Sequence, residues 1–200
     1  MAQTVRGYHG TTLGNANAIR TGAFRPSNGP GEWLGRGIYF FEASPTMAWL
    51  WAKNAVKIDQ TISGKFDKPA IIAADIELRD CIDLFDLAWV NFVKKTAEKL
   101  SVAPGLETQH GLRLTSARGR QFVIGDVYMP PSSYKDNRAD CQVINAIWDS
   151  FRNYAALPST IRAPFVFGRQ THTNSFYFSQ SHVQIVVIDA TVITNIKIES

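Results

Sequence analysis

Four short fragments of the chain contain the side chains that are candidates for chemistry: residues 8–11, 34–40, 48–52 and 181–187. His9 can hydrogen-bond a hydroxyl group, and the ring of Tyr39 can stack on a flat heterocycle. Gly35 and Gly37, just before Tyr39, allow the backbone to approach a ligand closely. The sequence contains no glycine-rich phosphate loop, H-E-x-x-H motif or G-x-S-x-G elbow. The four fragments therefore belong to none of these phosphate-binding, zinc-protease or serine-hydrolase motifs.

Alternating strands and helices position these fragments in the first 80 residues. We predict strands at residues 4–9, 37–41 and 70–78. Thr12 is a preferred N-cap type for a helix that runs to Arg20, where Gly22 is placed to end it. Ser44 and Pro45 begin a second helix in the favoured N-cap and N1 order. Its predicted inward stripe consists of Ala48, Trp51, Ala52 and Ala55.

The middle of the chain is predicted to be mainly helical, and the end returns to strands. Apolar residues from Phe85 to Leu100 recur at helical spacing after Asp83, which we expect to cap that helix. Residues 143–155 predict another helix, with Asp140 as its N-cap. The further predicted strands are residues 120–128, 164–167, 182–189 and 191–198, with a turn at 129–133. We predict one mixed domain spanning residues 1–200.

Composition excludes several protein classes without revealing an activity. Lys plus Arg number 21 and Asp plus Glu number 17, so the net charge is +4 and an anionic partner is permitted. Hydrophobic residues make up 45% of the chain, as in ordinary globular domains. Cys81 and Cys141 are far apart, which argues against a zinc site or disulfide framework. With no apolar leader or membrane-length run, we expect a cytoplasmic protein with no metal and no membrane partner.

The four fragments and their order resemble the ADP-ribosyltransferase superfamily, on the side of diphtheria toxin and the poly(ADP-ribose) polymerases. His9, Gly10 and Thr11 match the first motif of that family, and residues 35–40 match its G-x-G-I-Y-F motif. Residues 184–189 align with the late catalytic strand. The resemblance covers about residues 5–80 and 165–197, and is nearest to bacterial toxin-like members found in toxin–antitoxin and phage-defence settings.

The resemblance implies an α+β fold with two packed, mostly antiparallel sheets around an NAD cleft. The segment from about residue 82 to residue 160 would be a helical insertion. It also implies a reaction in which the bond between nicotinamide and ribose breaks and a nucleophile takes the ADP-ribose. A neutralising antitoxin protein would be a partner.

Roles for individual residues follow from the same resemblance. His9 would bond the adenosine ribose, the Gly10 backbone would pair with the nicotinamide carboxamide, and Tyr39 would stack on the ring. Ser27 would lie near the diphosphate. Further predicted NAD contacts are Thr11, Gly37 and Trp51. Arg20, Arg25 and Arg36 are all candidates for the phosphates, and the sequence does not choose among them.

Two positions depart from the family pattern. Leu50 occupies the place of a second stacking tyrosine, so Trp49 or Trp51 would have to stack instead. Gln184 replaces the catalytic glutamate, and an amide can hydrogen-bond but carries no charge. His182 shares its strand face, and a carboxylate could come from Asp140 or Asp126.

A segment that precedes the late strand is the predicted acceptor loop. Residues 170–180 contain three adjacent aromatics and no carboxylate, which favours a nucleic-acid acceptor. Phe176, Tyr177 and His182 are candidate acceptor contacts, together with Asp140 and Asn145. Alternatively, the aromatic residues anchor the loop to the core.

The expected function is NAD-dependent mono-ADP-ribosylation of a macromolecule, with RNA or DNA favoured and Tyr39, Gln184 and His9 as the catalytic set. Chain elongation is not expected because Gln184 is uncharged. Alternatives are transfer to protein, an NAD glycohydrolase, or an NAD-dependent RNA phosphotransferase. A sensor of NAD or ADP-ribose and an interaction module without ligand are the non-enzyme alternatives.

Overall fold

A computed structural model describes residues 2–22, 24–64, 66–102, 137–151 and 158–199, and shows an α+β architecture. The strands are β1 Thr4–Thr12, β2 Ile38–Glu42, β3 Pro69–Glu77, β4 Cys81–Asp83, β5 Thr160–Phe165, β6 His182–Val187 and β7 Ile193–Glu199. The helices are α1 Leu13–Thr21, α2 Pro45–Ser63, α3 Leu87–Val102 and α4 Asn137–Phe151, with a 3₁₀ turn at Ala190–Val192. The α+β class is therefore confirmed.

The described strands form one seven-stranded sheet in the order β4-β5-β6-β2-β1-β3-β7. Only β4 and β5 run parallel, and the other neighbours are antiparallel. The prediction of two packed sheets is wrong, because β1 hydrogen-bonds to β2. This pairing joins strands β4-β5-β6-β2 to strands β1-β3-β7 in a single sheet. That join consists of the pairs Gly7↔Glu42 and Tyr8↔Phe41, whereas β1 pairs with β3 along its whole length.

Each face of the sheet buries a separate part of the core. On one face, Ile161 and Val186 pack against buried residues of α4, with half-buried residues of α3 around them. The residues of α4 that do so are Val143, Ile144, Ile147 and Trp148. On the opposite face, Phe40 and Ile185 pack with residues of β3 and β7. Helices α3 and α4 therefore cover one face of the sheet at β5 and β6.

Helix α1 has its predicted caps, and helix α2 has its predicted start. The Thr12 side chain accepts a hydrogen bond from the Asn15 N–H at 3.3 Å, and α1 ends before Gly22. Helix α2 begins at Pro45, but the side chain of Ser44 makes no capping hydrogen bond. The C-cap of α2 is Gly64, whose φ is 67° and which the sequence analysis did not predict.

Several sequence predictions about the helices need correction. Asp83 lies in β4 rather than capping α3, and the Asp86 carboxylate accepts from the Ala88 N–H at 2.8 Å instead. Trp51 points away from the core with 53% of its surface exposed, while Ala48 and Ala52 of the predicted stripe are buried. Asp140 is not an N-cap, because α4 begins at Asn137. The predicted strand 120–128, the turn 129–133 and Ala155 lie outside the described residues.

Candidate functional site

The pairing between β1 and β2 ends at its last residue pair, Tyr8↔Phe41. Alternate residues of a strand hydrogen-bond to the same neighbour. The Arg6 carbonyl accepts from the Ala43 N–H at 2.9 Å on the β2 side of β1. By alternation, the N–H and C=O of Gly10 also face β2, beyond the last pair. Gly10 is buried, and its backbone donor and acceptor face a gap in the pairing between the two strands.

The His9 side chain lies at this gap, on the face of the sheet that carries Phe40 and opposite to the face that carries Tyr39. Its Nδ1 lies 2.8 Å from the backbone carbonyl oxygen of Tyr39. Burial lowers the pKa of His9, which favours the neutral ring. Because a carbonyl only accepts, Nδ1 carries the proton and Nε2 presents a lone pair. The rings of Phe24 and Phe40 hold the imidazole, with centroids 5.7 and 5.8 Å away.

Tyr39 is half-buried, and its hydroxyl makes two hydrogen bonds to the backbone of the preceding turn. The hydroxyl donates to the Gly35 carbonyl at 2.7 Å and accepts from the Leu34 N–H at 3.1 Å. Burial raises the pKa of Tyr39, so the hydroxyl stays protonated. The structure therefore places Tyr39 at the site while using it to hold the preceding turn. Its substitution would disturb the fold as well as any ligand contact.

The turn before β2 is held by residues that the sequence analysis assigned to ligands. Ser27 and Gly37 exchange two backbone hydrogen bonds of 2.8 Å, and the Ser27 hydroxyl contacts the Glu32 carboxylate. The Asn145 side-chain oxygen accepts from the Arg36 N–H at 2.9 Å. Gly37 has a φ of 151°, and a Cβ there would lie 2.3 Å from a Val186 methyl group. In this structure Ser27 and Asn145 shape the turn.

Gln184 is the centre of a directional hydrogen-bond chain. Its Oε1 accepts from the Trp33 indole N–H at 2.7 Å, and its Nε2 lies 2.9 Å from His182 Nε2. His182 Nδ1 lies 2.6 Å from the carbonyl of Gln180. Because that carbonyl only accepts, His182 carries its proton on Nδ1 and accepts from the Gln184 amide. These hydrogen bonds therefore fix the orientation of the Gln184 amide.

This series of hydrogen bonds gives a physical reason for glutamine at position 184. Burial lowers the pKa of His182, which favours a neutral ring whose Nε2 presents a lone pair. A glutamate would place a carboxylate against that lone pair and repel it unless His182 were protonated. An amide N–H satisfies it instead. Trp33 was missed by the sequence analysis, although it directly precedes the Leu34–Phe40 fragment.

The structure brings together only some of the residues predicted to form the site. Tyr39 and Gln184 lie on one face of the sheet, because they alternate in step along the paired strands β2 and β6. His9 contacts the Tyr39 backbone, and no hydrogen bond joins His9 to Gln184 among the described residues. Thr11 is buried within β1.

The other predicted contacts are at the surface. The Trp51 ring lies 6.4 Å from that of Phe41. Phe176, Tyr177 and Asp140 are exposed, so the two aromatic side chains do not anchor their loop to the core.

Charged groups near the site are mostly paired with each other. Arg162 binds Glu42 at 2.9 Å and Asp83 at 3.1 Å, and Arg36 binds Asp149 at 2.7 Å. Asp126 lies outside the described residues. Within the described ranges, no group of three or more metal-ligating side chains occurs. The arrangement can therefore bind through uncharged hydrogen-bonding groups and aromatic rings.

We expect the stability of the folded chain to fall as the pH drops below about 6.5, the ordinary histidine pKa. Burial lowers the pKa of both His9 and His182, so below that pH the unfolded chain binds more protons than the folded one. The stabilisation is present above the ordinary value and is lost as the pH falls toward the folded-state pKa values. Urea unfolding at pH about 7.5 and about 5.5 would measure it. His182→Asn should reduce the difference, and an unchanged difference would contradict the assignment.

Comparisons of the chain with protein-family models, curated proteins and solved structures found no match. No helix in the described part of the chain combines the length and the apolar character needed to cross a bilayer.

Proposed function

We propose that this chain is an NAD-dependent mono-ADP-ribosyltransferase of the bacterial toxin type. The observation that carries the proposal is the gap where β1 and β2 stop pairing. There the Gly10 backbone and the His9 ring face the strand that carries Tyr39. The strand order β6-β2-β1 also brings the three motifs of the family resemblance side by side.

The groups around the gap match NAD as a substrate. The Gly10 N–H can donate to the carboxamide oxygen of nicotinamide, and the Gly10 carbonyl can accept from its amide. The Nε2 lone pair of His9 can accept from a ribose hydroxyl. The α2 backbone lies directly over Gly10, so the ligand would enter between the strands rather than above them.

The chemistry requires little from charged groups. When the bond between nicotinamide and ribose C1′ breaks, its electron pair leaves with neutral nicotinamide, and the sugar becomes cation-like. The acceptor atom then forms the new bond to C1′ and releases its proton to water. Gln184 can accept from a ribose hydroxyl through its second lone pair. Since an amide carries no charge to activate a second sugar, we propose single transfer rather than chain growth.

One alternative is favoured by a specific observation. Gln184 is uncharged and both ends of its amide are engaged, as in a protein that binds NAD or ADP-ribose without cleaving it. That sensor would bind NAD and release no nicotinamide.

If the chain is a toxin, as proposed, it would arrest growth from the cytoplasm and need a neutralising protein partner.

The decisive experiment combines nicotinamide release with label transfer. The purified chain is incubated with NAD labelled in its adenylate and with a cell lysate, followed by nuclease or protease digestion. We expect nicotinamide release and a labelled macromolecule. His9→Asn keeps a donor toward the Tyr39 carbonyl but removes Nε2, so the KM for NAD should rise about tenfold, and thermal melting of the variant checks that it is folded. Calorimetry showing no NAD binding to the wild-type chain would refute the proposal. Binding without cleavage would favour the sensor.

A further inference from the structure

Aromatic rings continue from the Gln184 site across the neighbouring strand. The Trp33 and Phe165 ring centroids lie 4.6 Å apart, and those of Phe165 and Phe167 lie 5.8 Å apart in a stacked arrangement. We call these three residues the aromatic row. All three are half-buried, and Trp33 is also the hydrogen-bond donor to Gln184. The row therefore links the site to the surface.

Beyond the row, a hydrogen-bonded turn presents two more aromatic side chains to solvent. Gln170 and Phe178 form a bridge, and the Thr171 N–H donates to the Tyr177 carbonyl at 3.0 Å. The buried hydroxyl of Ser175 accepts from the Tyr177 N–H at 2.9 Å. Phe176 and Tyr177 are nevertheless 81% and 76% exposed. The turn is held by its own polar groups, and these two rings are free to contact a partner.

The surrounding segment carries no negative charge. Residues 163–188 contain neither Asp nor Glu, although the chain has 17 such residues in 200. Arg169 adds a positive charge to the segment, and the side chains that hydrogen-bond Gln184 are neutral. Residues 163–188 therefore add no carboxylate that would repel a phosphate backbone or pair with a basic peptide.

We propose that this surface binds an unpaired nucleic-acid strand as the acceptor, with bases stacked on Phe176, Tyr177 and the aromatic row. This inference rests on the proposed transfer from NAD. Bases in a duplex are already stacked on one another, so separate aromatic platforms suit a single strand. Gln184 also keeps one amide N–H, which can donate to an acceptor atom on the edge of an uncharged base.

The test is a binding measurement that needs no NAD. Fluorescence anisotropy would follow a labelled single-stranded oligonucleotide of about 15 nucleotides, DNA or RNA, with a duplex of the same length beside it. We expect the single strand to bind more tightly than the duplex. The double substitution Phe176→Ala with Tyr177→Ala should weaken binding at least about tenfold, as is typical of lost base stacking. Both rings are exposed, so the variant should fold.

The matched control is Phe66→Ala, which removes an 86% exposed ring just after α2. It should leave oligonucleotide binding unchanged. Equal losses in the two variants, no binding, or tighter binding of the duplex would each overturn the inference. If the strand binds but NAD is never cleaved, the proposed function fails and the binding surface stands. If NAD is cleaved and label enters only protein, the nucleic-acid inference alone fails.

Discussion

Replacing Gln184 by alanine should lower the rate of nicotinamide release from NAD by about 10²–10³-fold, the usual cost of losing one oriented polar group at a reacting centre. Gln184 is held by Trp33 on one side and His182 on the other, so its amide is already oriented before substrate binds. The side chain is half-buried on β6, and its loss should leave the fold intact. Steady-state nicotinamide release measures the effect.

Gln60→Ala on the exposed side of α2 is the matched control and should retain the wild-type rate. Trp33→Phe tests how the amide is positioned, because it keeps an aromatic ring and removes only the N–H donor to Gln184. That variant should lose kcat more than affinity for NAD. Wild-type turnover by Gln184→Ala would remove this residue from the proposed mechanism.

Replacing Gly10 by alanine should destabilise the folded chain by about 3 kcal/mol or more, within the range of severe steric substitutions. A Cβ at position 10 would lie 2.0 Å from the Ala48 carbonyl oxygen and 2.9 Å from the Ala52 backbone nitrogen. Backbone atoms of a helix cannot rotate aside, so α2 would have to move away from β1. Urea unfolding of the two chains would give the change in free energy of unfolding.

Gly31→Ala is the matched glycine control, because an added Cβ there meets nothing within 4 Å. We expect its stability to change by about 0.5 kcal/mol or less, or to rise slightly through the unfolded state. Similar losses in the two variants would show that the contact of α2 with Gly10 is not the cause.

The ends of α1 and the start of α2 were predictable from sequence because they depend on neighbours in the chain. Thr12 accepts from an N–H three residues later, and Pro45 occupies the first position of α2. The strands around Tyr39 and Gln184 were likewise predictable from short apolar runs. In contrast, Trp51 shared the helical spacing of buried alanines but faces outward. Spacing alone does not show how wide the covered face of a helix is.

The site was only partly predictable for the same reason. The motifs indicated His9, Tyr39 and Gln184, but nothing local links Trp33 to a residue 151 positions away. Nor could the sequence show that Tyr39 and Asn145 bind the turn before β2, since both bonds depend on how the turn packs.

The sequence by itself determined the α+β class, both ends of α1, the start of α2 and the order of the candidate motifs, because each depends on residues close together in the chain. Only the tertiary structure decided that the strands form one sheet, since two pairs between β1 and β2 join its halves. It also decided that burial lowers the pKa of His182 and that Gln184 accepts from Trp33. Those properties depend on burial and on partners from distant segments, which come together only when the chain folds.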